Sequence, residues 1–244
     1  MKFVFIRFYE ELNDFLPPEK RKVRFQVHIT VPQSIKDLIE SLGVPHIEID
    51  LIIVNSNSVG FDYIVKENDD ISVYPVFESF DIKNVQRLRP APLREPKFIC
   101  DVHLGSLAKY LRMAGFDTVY KNNFEGNEIV SLSAHELRTI LTQDRNLLKR
   151  KDVTHGYWIR NNAAGLQLKE VIKRFQLEDL FCPFSRCMEC NGLIKIVDKE
   201  QIIERLEPNT IKYFNEFYTC ISCGWIYWKG SHYKKMEEIF KSIK

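Results

Sequence analysis

The hydrophobic rhythm of this chain changes about a third of the way along. Residues 2–8 (KFVFIRF) are rich in β-branched and aromatic positions, as strands are. In residues 23–29 (VRFQVHI), Val23, Phe25, Val27 and Ile29 alternate with Arg24, Gln26 and His28. That period of two predicts a half-buried strand. Pro17-Pro18 and EKRK mark the turn between the two strands. Ile35, Leu38, Ile39 and Leu42 then recur at helical spacing, and Gly43 and Pro45 stop the helix. Further strands are expected near 51–54 (LIIV), 61–65 (FDYIV) and 71–77 (ISVYPVF).

Strand, hairpin return, helix and then more strands is the order of a β-grasp domain, an α+β fold, expected over residues 1–80. The segment NSNSVGFDYIVKENDDISVYPVF resembles the final part of ubiquitin-like sulfur carriers. Those carriers end in an exposed Gly-Gly that is activated at its carboxylate. Here the last strand runs on into ESFDIKN, so the fold is retained and the carrier chemistry rejected.

Residues 81–96 lack periodicity and hold Pro90, Pro92 and Pro96 among Lys83, Arg87, Arg89 and Arg94. Proline stiffens such a stretch, which reads as a basic linker: either a solvated tether or an RNA contact. From residue 97 the pattern becomes strand alternating with helix. Strands are expected at 97–100, 117–120, 139–142 and 157–160. Leu104, Leu107, Ala108 and Leu111 form one helical stripe, ended at Gly115. Residues 127–136 form a second helix, and 166–175 a third with Leu166, Val171 and Phe175 inward. Repeated β-α units call for a parallel sheet with helices on its faces, expected over 97–178.

Two hundred and forty-four residues suffice for one large domain or two small ones with separate cores. A net charge of +2 gives a weak overall field, so nucleic-acid binding would depend on local basic patches. No apolar run approaches membrane-spanning length. Arg7 interrupts the apolar start and no small-residue cleavage site follows, so neither a signal peptide nor a membrane partner is expected. The location that follows is cytoplasmic, and six cysteines there point to metal or buried thiols rather than disulfides.

Cys187-Met-Glu-Cys190 and Cys220-Ile-Ser-Cys223 are two C-x₂-C pairs. Each suits a tight turn offering two thiolates, and together they make a closed tetrahedral site for structural zinc. Asn191-Gly192 and Gly224 supply the turns. Redox pairs or disulfides are the alternatives. Residues 179–244 are accordingly expected to form a zinc ribbon, with Trp225 and Tyr227 as its core. Cys100 reads as a buried thiol, and Cys182 lies outside the ligand set.

Open parallel sheets carry their chemistry at the carboxyl ends of the strands. Asp101 follows the strand KFIC directly, and Asp144 follows TILT by two residues. Two such carboxylates could hold Mg²⁺ or Mn²⁺, which activates water and stabilises the leaving oxygen of a phosphodiester. Both could equally be helix N-caps. Lys109, Arg112, Arg145, Lys149, Arg150 and Lys151, with Lys169, Lys173 and Arg174, are candidates to grip phosphates. His232, Tyr233, Lys234 and Lys235 add an aromatic and basic end.

The segment CDVHLGSLAKYLRMAGFDT resembles the opening motif of the Mut-seven carboxy-terminal RNase family, a branch of the PIN-like nucleases. ILTQDRNLLKR is similar to its second signature, and RCMECNG with FYTCISCGWIYWKGSHYKKM to its terminal ribbon. A ubiquitin-like domain ahead of such a nuclease is a known arrangement. The resemblance implies endoribonuclease activity through Asp101, Asp144 and an acid at the start of the middle helix. Read from charge and position, the candidate RNA-binding residues are Lys109, Arg112, Arg145, Lys149, Arg150 and His232. At the middle helix the sequence departs, with Asn127 where the family has Asp, and Glu128 is the expected substitute, ahead of Glu125. Gln143 replaces the usual Arg, and Asn161 and Asn162 follow the strand YWIR. The expected activity is thus a divalent-metal-dependent ribonuclease. The alternative is a catalytically impaired RNA- or protein-binding module that keeps the PIN fold, with the ubiquitin-like domain as the docking site for a protein partner.

Overall fold

The computed structural model describes residues 2–75, 96–230, 233 and 237–240. Of the linker expected over 81–96 only Pro96 falls within that set, and His232, Lys234 and Lys235 lie outside it. The chain forms two compact units. One contains residues 1–94 together with Asp144–Trp158; the other contains Glu95–Gln143 and Ile159–Lys244.

The first unit holds the sheet of β1 (Lys2–Phe8), β2 (Phe25–Ile29), β3 (Ile49–Val54), β4 (Asn57–Ser58) and β5 (Asp70–Pro75), in the order β2-β1-β5-β3-β4. β1 pairs antiparallel with β2 and parallel with β5, which is the β-grasp arrangement. Val4, Ile6 and Phe8 alternate inward and are buried. Opposite them lies α1 (Ile35–Ser41), whose Ile35, Leu38 and Ile39 are buried. Ser34 caps that helix by accepting from the Asp37 amide (3.1 Å).

Two expectations for this half are corrected. Val23 is 45% exposed and lies before β2, so the inward alternation begins only at Phe25. The segment FDYIV forms no strand beyond a bridge from Ile64 to Ser34. Phe61 and Tyr63 instead lie against the core with their backbone in a turn, as the Tyr63 amide bonds to the Gly60 carbonyl (3.2 Å).

The second stretch of chain runs β6 (Lys97–Cys100), α2 (Gly105–Met113), β7 (Asp117–Val119), α3 (Gly126–Glu136) and β8 (Thr139–Thr142). It continues through α4 (Arg145–Leu148) and β9 (Gly156–Trp158), which belong to the first unit, and returns with α5 (Ala164–Phe175). β6 pairs parallel with both β7 and β8. Parallel strands need covering on both faces, and buried stripes on α2 (Leu107, Ala108, Leu111), α3 (Ile129, Val130) and α5 (Leu168, Val171, Ile172) are available to do this. Leu166, expected inward, is 51% exposed; the α5 stripe runs from Leu168 at spacings of three and four. Gly115 ends α2 at φ +101°, where a Cβ would fall 2.4 Å from the Cys182 carbonyl oxygen.

The terminal sheet is antiparallel, with β11 (Phe217–Cys220) between β10 (Ile194–Val197) and β12 (Ile226–Trp228). Between β10 and β11 the chain forms α6 (Lys199–Ile202) and α7 (Pro208–Tyr213). The Lys199 ammonium ties them by donating to the carbonyls of Ile211 (2.5 Å) and Phe214 (2.9 Å). Tyr227 is buried as expected, but Trp225 is 56% exposed, because it sits in the turn after Gly224 rather than on β12. No helix among the described residues is long and apolar enough to cross a membrane.

Candidate metal centre and the carboxyl edge of the sheet

The four paired cysteines converge. One sulfur from each of Cys187, Cys190, Cys220 and Cys223 lies within 4.8 Å of the others, and they are the one such cluster of potential ligands among the described residues. Cys187 Sγ is 3.6 Å from Cys223 Sγ, and Cys190 Sγ is 3.4 Å from Cys220 Sγ. A tetrahedral ion with sulfur ligands at about 2.3 Å sets its sulfurs about 3.8 Å apart, so this cage can hold one. Cys187 and Cys220 are buried, whereas Cys190 and Cys223 are exposed.

Backbone amides support the sulfurs. Cys190 N–H points at Cys187 Sγ (3.5 Å), Gly192 N–H at Cys190 Sγ (3.4 Å) and Ser222 N–H at Cys220 Sγ (3.4 Å). The Tyr227 hydroxyl lies 3.0 Å from Cys187 Sγ. Burial pushes the Cys220 thiol up, but the amides of Cys223 and Ser222 outweigh it and bring the thiol down to about 7. Cys190 is pushed up to about 12, chiefly by burial. A bound cation would hold these sulfurs as thiolates.

The first knuckle is anchored to the parallel sheet. Arg112, buried on α2, donates to the carbonyls of Thr118 (2.8 Å), Met188 (2.9 Å) and Glu189 (2.9 Å). Asn191, held at φ 66°, donates to Asp117 Oδ1 (2.8 Å) and accepts from the Thr118 amide (3.0 Å). Asp117 also takes Arg138 Nη1 (2.6 Å) and Arg186 Nη2 (3.2 Å). Asp117 is therefore the common acceptor through which the ribbon joins the end of β7.

At the other end of the strands stands Asp101, 5% exposed, immediately after β6. Its Oδ1 accepts from the His103 amide (2.8 Å), which caps a short turn, and its Oδ2 accepts from the Thr142 hydroxyl. Thr142 ends β8, and its carbonyl accepts from the Ile159 amide (2.8 Å). Beside it Gln143 Nε2 donates to the Asn161 carbonyl (3.0 Å), which also accepts from Gln167 Nε2 (2.9 Å). Glu170, with a side chain 9% exposed, accepts from the amides of Arg160 (2.9 Å) and Asn161 (3.1 Å) and from Asn161 Nδ2 (2.6 Å).

A family model for the Mut7-C RNAse domain matches residues 96–240, more than half of the chain. The chain belongs to the Mut7-C RNAse domain family. A second model, Mut7-C ubiquitin, matches residues 1–81 and so covers the β-grasp unit from its first strand. No curated protein and no solved structure gives a match. Membership brings a nuclease-type function in general terms, and the order ubiquitin-like domain, RNase domain, four-cysteine ribbon is that implied by the sequence motifs.

Within this Mut7-C frame the expected site residues have different surroundings. Asp101 is buried at the strand end. Asp144 is exposed and caps α4, accepting from the Asn146 amide (2.8 Å). Glu128 is exposed on the first turn of α3, where its carboxylate accepts from the Glu125 amide (3.0 Å). Lys109 is exposed and paired with Glu189 (2.9 Å), and Arg150 is paired with Asp152 (2.8 Å). Lys149 is half-buried. Arg145 does not project freely: its guanidinium lies 3.8 Å from the centre of the Trp158 ring. Arg112, expected on an RNA-facing surface, is 4% exposed and bonded to carbonyls, because α2 turns that position towards the knuckle. Cys100 is buried, and burial pushes its thiol far up, which suits an inert group. Glu170 went unnoticed in the sequence. The available signal was a polar pair, Gln167 and Glu170, interleaved with the apolar stripe of α5.

Proposed function

We propose that this Mut7-C protein is a divalent-metal-dependent ribonuclease of PIN type, with structural zinc in its four-cysteine ribbon. The observation that carries the reading is the buried Asp101 carboxylate at the carboxyl end of the central strand, oriented by the Thr142 hydroxyl and the His103 amide. Each carboxylate oxygen takes one donor and keeps a lone pair for a cation. Asp144 and Glu128 are the further acids that the family motifs offer for this chemistry.

Oxygen donors of this kind suit Mg²⁺ or Mn²⁺, which would supply an activated water and stabilise the leaving oxygen. The chain's own contribution is to fix Asp101 in one rotamer and to hold the strand ends through Thr142, Gln143 and Glu170. Exposed Lys109 and half-buried Lys149 and Arg150 are the cations proposed to meet RNA phosphates, with His232 as a further candidate; Arg112 leaves that group and Arg145 is occupied by Trp158. The sulfur-only set at the ribbon selects zinc over Mg²⁺.

The test is cleavage of labelled single-stranded RNA with Mn²⁺ or Mg²⁺, comparing wild type, Asp101→Asn and EDTA-treated protein. Activity lost in both controls supports the nuclease. A second reading, an RNA-binding module with impaired chemistry, is favoured by Asn127 and by Asn161, whose amide is engaged by Glu170. Under that reading folded, zinc-loaded wild type binds RNA without cutting it, and Asp101→Asn binds equally well.

A further inference from the structure

The segment Asp144–Trp158 lies inside the stretch matched by the RNase-domain model, yet it packs as part of the unit built on the ubiquitin-like domain. Its contacts with that domain are specific. The Trp158 amide donates to Glu48 Oε1 (2.8 Å), and Glu48 is fully buried. His46 places Nε2 3.2 Å from the Val153 carbonyl, with Nδ1 2.7 Å from Glu40 Oε1. The Trp158 ring lies 4.8 Å from that of Phe15 and joins the β-grasp core cluster. Arg145 stacks on Trp158 and also faces Phe15 at 5.2 Å. Buried polar groups on the ubiquitin-like side thus meet backbone groups of the segment, and an aromatic pair fills the space between them.

We infer that the partner of this ubiquitin-like face is the chain's own segment 144–158, and that Glu48, His46 and Phe15 act in cis as positioning residues for Asp144 and the basic run behind it. The ubiquitin-like domain is then part of the nuclease machinery rather than a tag that recruits another protein through this face. Side-chain acceptors and donors on one rigid element fix a neighbouring loop more tightly than apolar contact alone. The role given to Asp144 rests on the proposed ribonuclease reading; the docking itself does not.

The pair Glu48→Leu and Glu48→Gln in the full chain separates the two claims. Leucine keeps the volume and removes the acceptor for the Trp158 amide, whereas glutamine keeps an acceptor oxygen. Hydrogen exchange of residues 145–158 should speed up at least tenfold in Glu48→Leu, with β1 and β5 still protected, and should return towards wild type in Glu48→Gln. His46→Phe against His46→Gln gives the same contrast at Val153, should Glu48→Leu fail to fold. Unchanged exchange in 145–158 in both Leu and Phe variants overturns the docking inference, whatever the activity. RNA cleavage is then read in the same proteins. Turnover that falls in Glu48→Leu and recovers in Glu48→Gln supports positioning; turnover that stays at the wild-type rate with an opened segment overturns it. If wild type does not cleave RNA, the ribonuclease reading fails while the exchange result still decides the docking.

Discussion

Arg112 and Met188 are 76 positions apart, yet the Arg112 guanidinium donates to the Met188 carbonyl at 2.9 Å. Through this bond and its neighbour at Glu189, a helix packed on the parallel sheet satisfies the backbone of the first cysteine knuckle. Arg112→Met leaves the carbonyls of Thr118, Met188 and Glu189 without this donor. The expected cost is about 3 kcal/mol, a melting temperature lower by about 6–12 °C. Thermal unfolding by circular dichroism measures it, and Arg112→Lys should recover only part, since one ammonium cannot reproduce the fork.

Chelation should unravel the ribbon first. The buried cluster at the cysteines is small, with Cys187, Cys220 and Tyr227 as its members, so a bound ion would supply much of the folding energy there. Hydrogen exchange after treatment with a strong zinc chelator should accelerate in residues 194–197, 217–220 and 226–228. Residues 97–100 and 139–142 should stay protected. Equal loss in both regions would contradict a separable ribbon.

Asp117 sets a pH dependence. Burial pushes its carboxyl up, but Arg138, Asn191 and Arg186 outweigh that and hold it below the ordinary value of 3.8. The folded state therefore binds fewer protons than the unfolded state in this range. The stabilisation is complete above about pH 4 and fades as pH falls through the lower folded value. Asp117→Asn should cost about 1–2 kcal/mol at pH 7. Its deficit relative to wild type should shrink below pH 4, a comparison in which metal loss affects both proteins alike. Urea unfolding at pH 7, 4 and 3 reads the difference.

Thr142→Val tests the orientation of Asp101. Valine is close to threonine in size and removes the hydroxyl donor at a fully buried position. The expected result is about a tenfold loss of kcat on RNA, equal to about 1.4 kcal/mol of barrier, with KM little changed. Asp101→Asn should lose far more. Steady-state kinetics on a short single-stranded RNA checks both.

What could be read from the sequence was local. The strands at Lys2–Phe8, Lys97–Cys100 and Thr139–Thr142 and the helix at Gly105–Met113 follow from periodicity, and the four cysteines from spacing. What escaped depended on contacts made outside each residue's own element. Arg112 looks like a surface cation until the knuckle that covers it is in place. Glu170 looks like a solvated helix residue until the amides of Arg160 and Asn161 reach it. Leu166 and Trp225 look like core positions because they are apolar, but apolarity does not say which side of an element faces inward. Asp101 and Asp144 were readable as strand-end acids or as caps, and both do cap in this structure.

The return of Asp144–Trp158 to the first unit has a consequence for biosynthesis. The β-grasp strands are all made once Pro75 has been added, but Glu48 and Phe15 meet Trp158 only after 83 more residues have left the ribosome. Until then the nascent chain presents Phe15 and His46 without the segment that covers them. Contacts of such long sequence separation form late and slowly. The core of the ubiquitin-like domain is therefore complete only when Trp158 arrives.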